Sequence, residues 1–220
     1  MKKSTPIQFV FRILIYCLGM FILATGVAFS VNGNLGVSPV NSFPFVVSQI
    51  LGVQLGTCVT VFFCFLILLQ IIILRREFKP INLLQIVFST IFGYFVDFAK
   101  MLLGDFCIPT YFGQLAMVAI SIVFIGLGVM LFMQTDLVPM PMEGLIACVA
   151  RKLNKPFHKM KSILDSSVVV IAVVLSLVWF RSLLGVREGT IITAILAGRL
   201  VGVFKKPLGP IVDKICFSHR

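Results

Sequence analysis

Charged residues and histidines are scarce in this sequence. Only 12% of the 220 residues are charged, eight of them are acidic, and there are two histidines, His158 and His219. Soluble domains carry about 25% charged residues, and a soluble protein of this length would need more polar side chains to cover its surface. The scattered acids and the two distant histidines form no plausible acid–base, triad or metal constellation. We therefore expect no metal, no cofactor and no enzymatic activity.

The motifs of nucleotide-binding and disulfide-rich proteins are also missing. The sequence has no GxxxxGK[ST] loop, and its six cysteines show no CxxC spacing. Most of the cysteines lie inside apolar runs, where a thiol acts as a small hydrophobic group. The sequence thus predicts neither a disulfide framework nor a zinc site.

Apolar residues make up 59% of the chain, and the mean hydropathy is +1.09. A helix of about 20 apolar residues crosses a bilayer core, and six runs approach or reach that length. They are Ile13–Val31, Thr57–Leu74, Leu83–Leu103, Leu115–Met133, Ile163–Phe180 and Thr190–Phe204. The first run is too long for a cleaved signal peptide, although Lys2 and Lys3 precede it. The sequence predicts an all-α membrane protein whose six transmembrane helices form one domain, residues 1–220.

Lysine and arginine fall mainly on one side of these spans. All but four of the 19 basic residues lie on the side of the N-terminus, and the exceptions are Lys100, Arg181, Arg187 and Arg199. The positive-inside rule then makes both termini cytoplasmic and explains the net charge of +11. Anionic lipid headgroups are natural neighbours of these side chains. We interpret the basic run 151–161 as a solvated cytoplasmic loop, with RNA contact as the alternative, and expect no nucleic acid partner.

The two halves of the chain resemble each other. The pairs that match at an offset of 102 are Gly26 with Gly128, Asn34 with Asp136, Leu35 with Leu137, Pro39 with Pro141, and Asn41 with Glu143. A second set, offset by 105, pairs Gly93, Val96, Lys100 and Gly104 with Gly198, Val201, Lys205 and Gly209. Chance similarity of apolar segments is the alternative to a repeat. Because three spans are an odd number, the second copy enters the membrane upside down, as in many secondary transporters.

These matches place repeat 1 at about 12–104, repeat 2 at about 115–209 and a cytoplasmic tail at 210–220. The sixth span is the shortest and is rich in small residues (Ala194, Ala197, Gly198, Gly202), which favour close helix packing. That face, or Gly126 and Gly128 in the fourth span, is the predicted contact of a homodimer. From Pro207 to Arg220 we predict a short amphipathic segment at the inner surface, with Ile211, Val212, Ile215 and Cys216 on lipid.

Each repeat contains a short apolar stretch after its first span. Residues 32–56 have no charged side chain, unlike an ordinary loop, and Phe43–Val53 is apolar yet too short to cross a bilayer. Because proline suits the first turn of a helix, we predict a short helix at Pro39–Leu51 that dips in from outside. Its counterpart, Met142–Leu153, follows Pro141 and dips in from inside. Helix N-termini favour anionic or polar groups, so the two ends predict a binding site near the midplane.

The predicted lining of this site comes from the two breaks. It comprises Asn34, Ser38, Pro39, Asn41, Asp136, Pro141 and Glu143. Each residue also has a structural explanation. Asn34 and Asp136 suit turns or caps, Asn41 suits a cap, and Glu143 at a cytoplasmic rim would pair with Arg151 or a lysine. A carboxylate in an apolar stretch must be paired, protonated or hydrated, which favours a cavity around Glu143.

Asp97 and Arg199 are charged residues inside the third span of each repeat. A charge within a membrane span is costly and marks a functional candidate by default. The two positions allow an Asp97–Arg199 pair across the repeat axis, and an Asp97–Lys100 pair is the alternative. Asp165 is predicted to pair with Lys161 one helical turn back.

Three segments resemble the YczE/YyaS/YitT family of bacterial membrane proteins. They are Asn34-Leu-Gly-Val-Ser-Pro39, Pro139-Met-Pro-Met-Glu143-Gly, and Gly189-Thr190 followed by Gly198 and Gly202. The resemblance runs from about the first span to the sixth. Family members often carry an aromatic residue and an Asp after the Ser-Pro, where this chain has Val40 and Asn41. The resemblance implies a bacterial inner-membrane protein and brings no settled substrate.

Two functions fit this sequence. The first is a small secondary transporter of a small polar or anionic metabolite, whose site lies between inverted repeats that rock against each other. The second is a non-catalytic membrane subunit, a substrate-capturing or accessory module that acts with a partner protein.

Overall fold

Eight α-helices form most of the chain between residues 6 and 217. The structure, a computed structural model, describes those residues, so the predictions for Lys2, Lys3, His219 and Arg220 lie outside it. The helices are α1 (Pro6–Asn32), α2 (Pro39–Leu51), α3 (Leu55–Leu74), α4 (Leu84–Leu103), α5 (Tyr111–Gln134), α6 (Pro141–Lys152), α7 (Phe157–Phe180) and α8 (Glu188–Cys216). Two 3-10 turns, Arg75–Glu77 and Pro80–Leu83, join α3 to α4, and the described part has no β-strand.

Five helices, α1, α3, α4, α5 and α7, are long and apolar enough to cross a membrane. Large apolar side chains point outward from them. On α3, for example, Val61, Phe65 and Leu68 are each more than half exposed. Lipid covers such a surface without the free-energy cost that water would impose. The chain is therefore an all-α, multi-pass membrane protein.

Helix α8 contains the predicted sixth span, Thr190–Phe204, and is more polar than the other long helices. It is 29 residues long, carries Arg199, Lys205 and Lys206, and is not among the five strongly apolar helices. Its first half packs on α5, where a Cβ on Gly126 would lie 2.9 Å from Leu200. Contact with protein therefore replaces part of the lipid contact that a more apolar helix would make.

The predicted amphipathic tail is, as far as Cys216, a continuation of α8. The helix runs through Pro207 and Pro210 to Cys216, although each proline removes one backbone hydrogen bond. Val212 and Cys216 are buried in the protein beside Ile15 of α1 and Leu131 of α5, so the prediction that they face lipid is wrong. This tertiary packing holds the last turns in helical form despite the prolines.

The order of the helices is long, short, long, long, and it occurs twice. Helices α1 and α5 end at Asn32 and Gln134, and α2 and α6 begin at Pro39 and Pro141. Helices α3 and α7 begin at residues 55 and 157, so all three pairs share the offset of 102 that matches in sequence. The two short helices are confirmed, each within one residue of its predicted bounds.

Helices α1 and α5 cross through a reciprocal contact between glycines. A Cβ on Gly26 would lie 3.0 Å from the carbonyl oxygen of Ser121, and a Cβ on Gly128 would lie 2.6 Å from that of Gly19. Residues 19 and 26 correspond to 121 and 128 at the offset of 102. Each helix thus presents the equivalent surface to the other, as in an isologous interface.

This packing changes the predicted homodimer faces. Gly126 and Gly128 already contact α8 and α1 of the same chain, so they are not a free surface. A Cβ on Gly198 or Gly202 would meet no atom of the described residues within 4 Å. On α8, Gly198 and Gly202 are therefore not packed against the rest of the described residues.

Candidate functional site

The two residues that open the breaks, Asn34 and Asp136, have the same backbone conformation. Their φ angles are 53° and 50°, in the left-handed region that Asn and Asp tolerate better than most residues. The carbonyl oxygen of Asn34 accepts a hydrogen bond from Arg187 Nη1 at 3.1 Å, and that of Asp136 accepts one from Arg12 Nη2 at 2.8 Å. Both residues therefore serve as turns that an arginine clamps.

The short helices α2 and α6 begin in the same way. Ser38 and Met140 are extended, with ψ of 149° and 155°, as the residue before a proline prefers. The prolines that follow fill the first helical position, where the missing N–H costs nothing. Asn41 and Glu143 are thus the third residues of their helices, at equivalent positions in the two halves.

A buried glutamine pair holds the start of α6. Gln70 and Gln85, from α3 and α4, are fully buried and joined by a hydrogen bond of 3.0 Å. Gln70 Nε2 also donates to the carbonyl oxygen of Pro141 at 2.9 Å. A Cβ on Gly144 would lie 2.7 Å from Gln70 Oε1, so the small residue permits this contact. The half-helix is therefore fixed to the bundle at its N-terminus.

A cavity of about 260 Å³ lies where these two helix starts face each other. All eight helices or the segments just before them contribute to its wall. The polar lining is Ser38, Asn41, Glu143, Lys161, Asp165 and Thr193, and the aromatic lining is Phe63, Phe92, Phe132 and Phe157. Known ligand pockets measure about 300–1,000 Å³. This cavity lies just below that range, so its size suits only a small molecule.

Three residues that line this cavity each have a buried side-chain oxygen atom without a hydrogen-bond partner. Asn41 and Thr193 are 6% and 1% exposed. Asn41 Oδ1, Asp165 Oδ1 and Thr193 Oγ1 make up three of the five buried side-chain atoms without a partner in residues 6–217. Because a buried polar atom without a partner costs about 1–3 kcal/mol, their convergence on one cavity indicates a site for a polar ligand or water.

The charged residues of the cavity interact with one another. Lys161 Nζ lies 3.1 Å from Asp165 Oδ2, which confirms the predicted pair. Lys161 also interacts electrostatically with Glu143. Glu143 does not pair with Arg151, which instead contacts Glu77 at 2.7 Å. Glu143 therefore lines the cavity, and of the partners in its structural explanation it interacts with a lysine, Lys161, and not with Arg151.

The two other predicted intramembrane charges lie apart. Asp97 Oδ1 accepts a hydrogen bond of 2.6 Å from the backbone amide of Gly56, in the first turn of α3. A carboxylate at a helix N-terminus is stabilising, so Asp97 holds α4 to α3. Arg199 is exposed on α8, and among the described residues no ion pair joins it to Asp97.

The cavity gathers four of the seven predicted lining residues, Ser38, Pro39, Asn41 and Glu143. Asn34, Asp136 and Pro141 do not line it. Sequence reasoning missed Thr193 and the part that Lys161 and Asp165 play in the cavity. The run 151–161 is not a loop, because residues 151–152 end α6 and residues 157–161 begin α7. The sequence signal for Lys161 and Asp165 was their position one helical turn apart at the start of an apolar span.

No group of three or more His, Cys, Asp or Glu side chains in residues 6–217 is arranged to hold a metal ion. The polar groups of the cavity instead offer hydrogen bonds and charge.

Comparison with known proteins agrees with the predicted resemblance. Residues 10–206 match a family described as "Family of unknown function (DUF6198)". The chain is 28% identical to "Uncharacterized protein YyaS" of Bacillus subtilis (strain 168) over 211 residues, which cover 95% of this chain and 98% of that protein. It is 26% identical to "Uncharacterized membrane protein YczE" of the same organism over 196 residues, 88% of this chain and 85% of that protein. No solved structure matches the chain.

Proposed function

The chain belongs to DUF6198, a family of unknown function, and we propose that it is a small secondary transporter of a small polar metabolite. Its substrate site is the cavity between the starts of α2 and α6. The observation that carries this proposal is that three residues lining one small cavity each have a buried oxygen atom without a partner. A polar substrate would satisfy these atoms and remove the cost of leaving them unpaired.

The proposed architecture is two inverted repeats, α1–α4 and α5–α8, related by an axis in the membrane plane. The shared offset of the helix ends supports it, and so does the reciprocal glycine contact between α1 and α5. In transporters of this kind, substrates bind near the midplane where broken helices meet. Asn41 and Glu143, equivalent residues at the two half-helix starts, occupy that position in the proposed scheme.

The proposed location is the inner membrane of a bacterium, with both termini in the cytoplasm. The excess of lysine and arginine on the side of the N-terminus supports this orientation. The two curated relatives are bacterial proteins, and one of them bears the name of a membrane protein. In this orientation Arg187 lies at the outer break and Arg12 at the inner break.

Efflux from liposomes tests the transport proposal. Liposomes that contain the purified chain alone are loaded with a mixture of amino acids, amines, sugars and carboxylates, and the compounds released are measured by mass spectrometry. At least one polar compound leaves faster than from empty liposomes. Asn41→Leu removes a buried polar partner and Glu143→Gln removes a carboxylate, and each slows that release by about tenfold.

Asp105→Asn is the matched control, because it changes an exposed carboxylate in the loop between α4 and α5. It leaves the release rate unchanged. If the mixture contains compounds that bind the chain but none that it releases, the chain is a binding subunit that acts with a partner. If no compound binds or moves, the cavity is not a substrate site.

A further inference from the structure

The free groups of the cavity indicate the chemical class of its ligand. We infer that the cavity binds a small protonated amine. This inference rests on the proposed function only in using the same cavity, since binding is measurable without transport. The sequence predicts a small polar or anionic metabolite, and the inference selects a polar cation and excludes an anion.

Hydrogen-bond acceptors predominate among the groups without partners. The amide nitrogen of Asn41 already donates to Ser38 Oγ at 2.9 Å, which leaves the amide oxygen free. Asp165 uses one oxygen for Lys161 and leaves the other without a partner. An amide oxygen and an ionised carboxylate accept hydrogen bonds and do not donate them. An ammonium group brings the N–H donors that these oxygens lack, whereas a carboxylate or phosphate ligand brings more acceptors.

The charge of the lining also favours a cation. Two carboxylates, Glu143 and Asp165, face one ammonium, Lys161, and no other charged side chain among residues 6–217 lines the cavity. Lys161 interacts with both carboxylates, so it has little attraction left for an anion. A bound ammonium can interact with the carboxylate oxygen of Asp165 that Lys161 leaves without a partner.

The helix starts, which suggest an anion from the sequence, are partly occupied by the chain itself. Glu143 is the third residue of α6, and its carboxylate accepts a hydrogen bond from its own backbone amide. The carboxylate of Glu143 therefore already lies at the positive end of α6, where an anionic ligand would otherwise bind.

Aromatic rings form part of the remaining wall. Phe63 and Phe92 stack with their centroids 5.9 Å apart, and Phe132 and Phe157 also line the cavity. Aromatic faces attract cations and accept the hydrocarbon part of an organic ligand. A small amine with an apolar body matches both parts of this lining, whereas a metal cation would leave the aromatic walls without contact.

Binding to the purified full chain in lipid nanodiscs tests the inference. The probes are butylamine and benzylamine, together with the carboxylates and alcohols of the same skeletons, butyrate, benzoate, butanol and benzyl alcohol. At neutral pH the amines are protonated and the acids ionised. Affinity is read from the rise in Tm with probe concentration and from ligand-observed NMR. The amines bind, and their carboxylate and alcohol counterparts bind at least about tenfold more weakly.

Two variants tie this binding to the cavity. Asp165→Asn removes one charge and Thr193→Val removes a hydroxyl at nearly constant volume, and each weakens amine binding by about tenfold. Asp105→Asn removes an exposed carboxylate outside the cavity and leaves amine binding unchanged. The Tm of each variant without probe verifies that it folds.

The remaining outcomes separate this inference from the transport proposal. If butyrate and benzoate bind in place of the amines, the ligand class is wrong and the cavity remains a site. If the amines bind but the liposomes do not release them, the inference stands and transport fails. The inference is overturned if none of the probes binds, or if Asp105→Asn weakens amine binding as much as Asp165→Asn.

Discussion

At the scale of single residues, two glycines set how closely α1 and α5 approach. Gly26 and Gly128 each face backbone atoms of the opposite helix, and backbone cannot move aside as a flexible side chain can. Gly128→Ala therefore destabilises the protein by about 1–3 kcal/mol, the usual cost of overpacking. A lower Tm of the purified protein in nanodiscs measures this effect.

Gly202→Ala is the matched control for this substitution. It makes the same change in a helix, at a site where the added methyl group meets no atom of the described residues within 4 Å. Because alanine favours helix more than glycine by about 1 kcal/mol, Tm stays the same or rises. Equal losses in Gly128→Ala and Gly202→Ala would contradict the close crossing of α1 and α5.

The sequence identifies the cavity residues of the two breaks better than those of the long helices. Asn41 and Glu143 are predictable because each follows a proline that starts a short helix in an otherwise uncharged or apolar stretch. Thr193 has no such signal, because the direction in which a helix face points depends on its rotation in the bundle. That rotation follows from tertiary packing, which one sequence without its relatives does not specify.

At the scale of elements, an arginine from a distant part of the chain clamps each break. Arg187, just before α8, binds the Asn34 carbonyl on one side, and Arg12 of α1 binds the Asp136 carbonyl on the other. Arg12 also donates to the Thr135 carbonyl at 2.9 Å. In the proposed rocking motion each clamp closes one side, so the loss of a clamp favours opening on that side.

Labelling of a cysteine in the cavity measures this opening. Val40 lines the cavity, and Val40→Cys in a background without the six native cysteines provides a single thiol. Arg187→Gln raises the rate of labelling by a membrane-impermeant maleimide added outside, and Arg12→Gln raises the rate from inside. The loss of one charge-assisted hydrogen bond shifts such an equilibrium by about tenfold.

Two charge changes at exposed positions serve as controls for the clamps. Arg181→Asn lies on the proposed outer side and Lys159→Gln on the proposed inner side, and both residues are exposed. Neither changes the labelling rate. If Arg187→Gln and Arg12→Gln raise labelling equally from both sides, they loosen the protein generally and are not clamps.

The elements themselves are largely predictable from apolar runs and prolines. The long helices follow the predicted spans, and the prolines at 39 and 141 mark the starts of the short helices. The end of α8 was not predictable, because Pro207 and Pro210 are typical of a helix end. The helix continues past them because Val212 and Cys216 find buried positions against α1 and α5, a contact between residues distant in sequence.

At the scale of the whole molecule, the number of crossings decides the architecture. Five helices are clearly apolar enough to cross, α2 and α6 are short, and α8 is long but more polar. If α2 and α6 dip in and return while α8 crosses, the chain has six spans and two inverted repeats. If α2 crosses, the sides of the later loops change, and if α8 does not cross, the C-terminus changes side.

Reporter fusions in a bacterial host decide between these topologies. Alkaline phosphatase, which is active only outside the cytoplasm, is fused after Asp105, after Asn154 or at the C-terminus, and green fluorescent protein is fused at the same points. With a cytoplasmic N-terminus, crossings by α1, α3 and α4 make the Asp105 fusion active. The Asn154 and C-terminal fusions are inactive, and their fluorescent counterparts are bright.

An inactive Asp105 fusion would mean that α2 crosses, and an active C-terminal phosphatase would mean that α8 does not. Either result excludes the inverted pair, because two copies related by a two-fold axis in the membrane must each cross an equal, odd number of times.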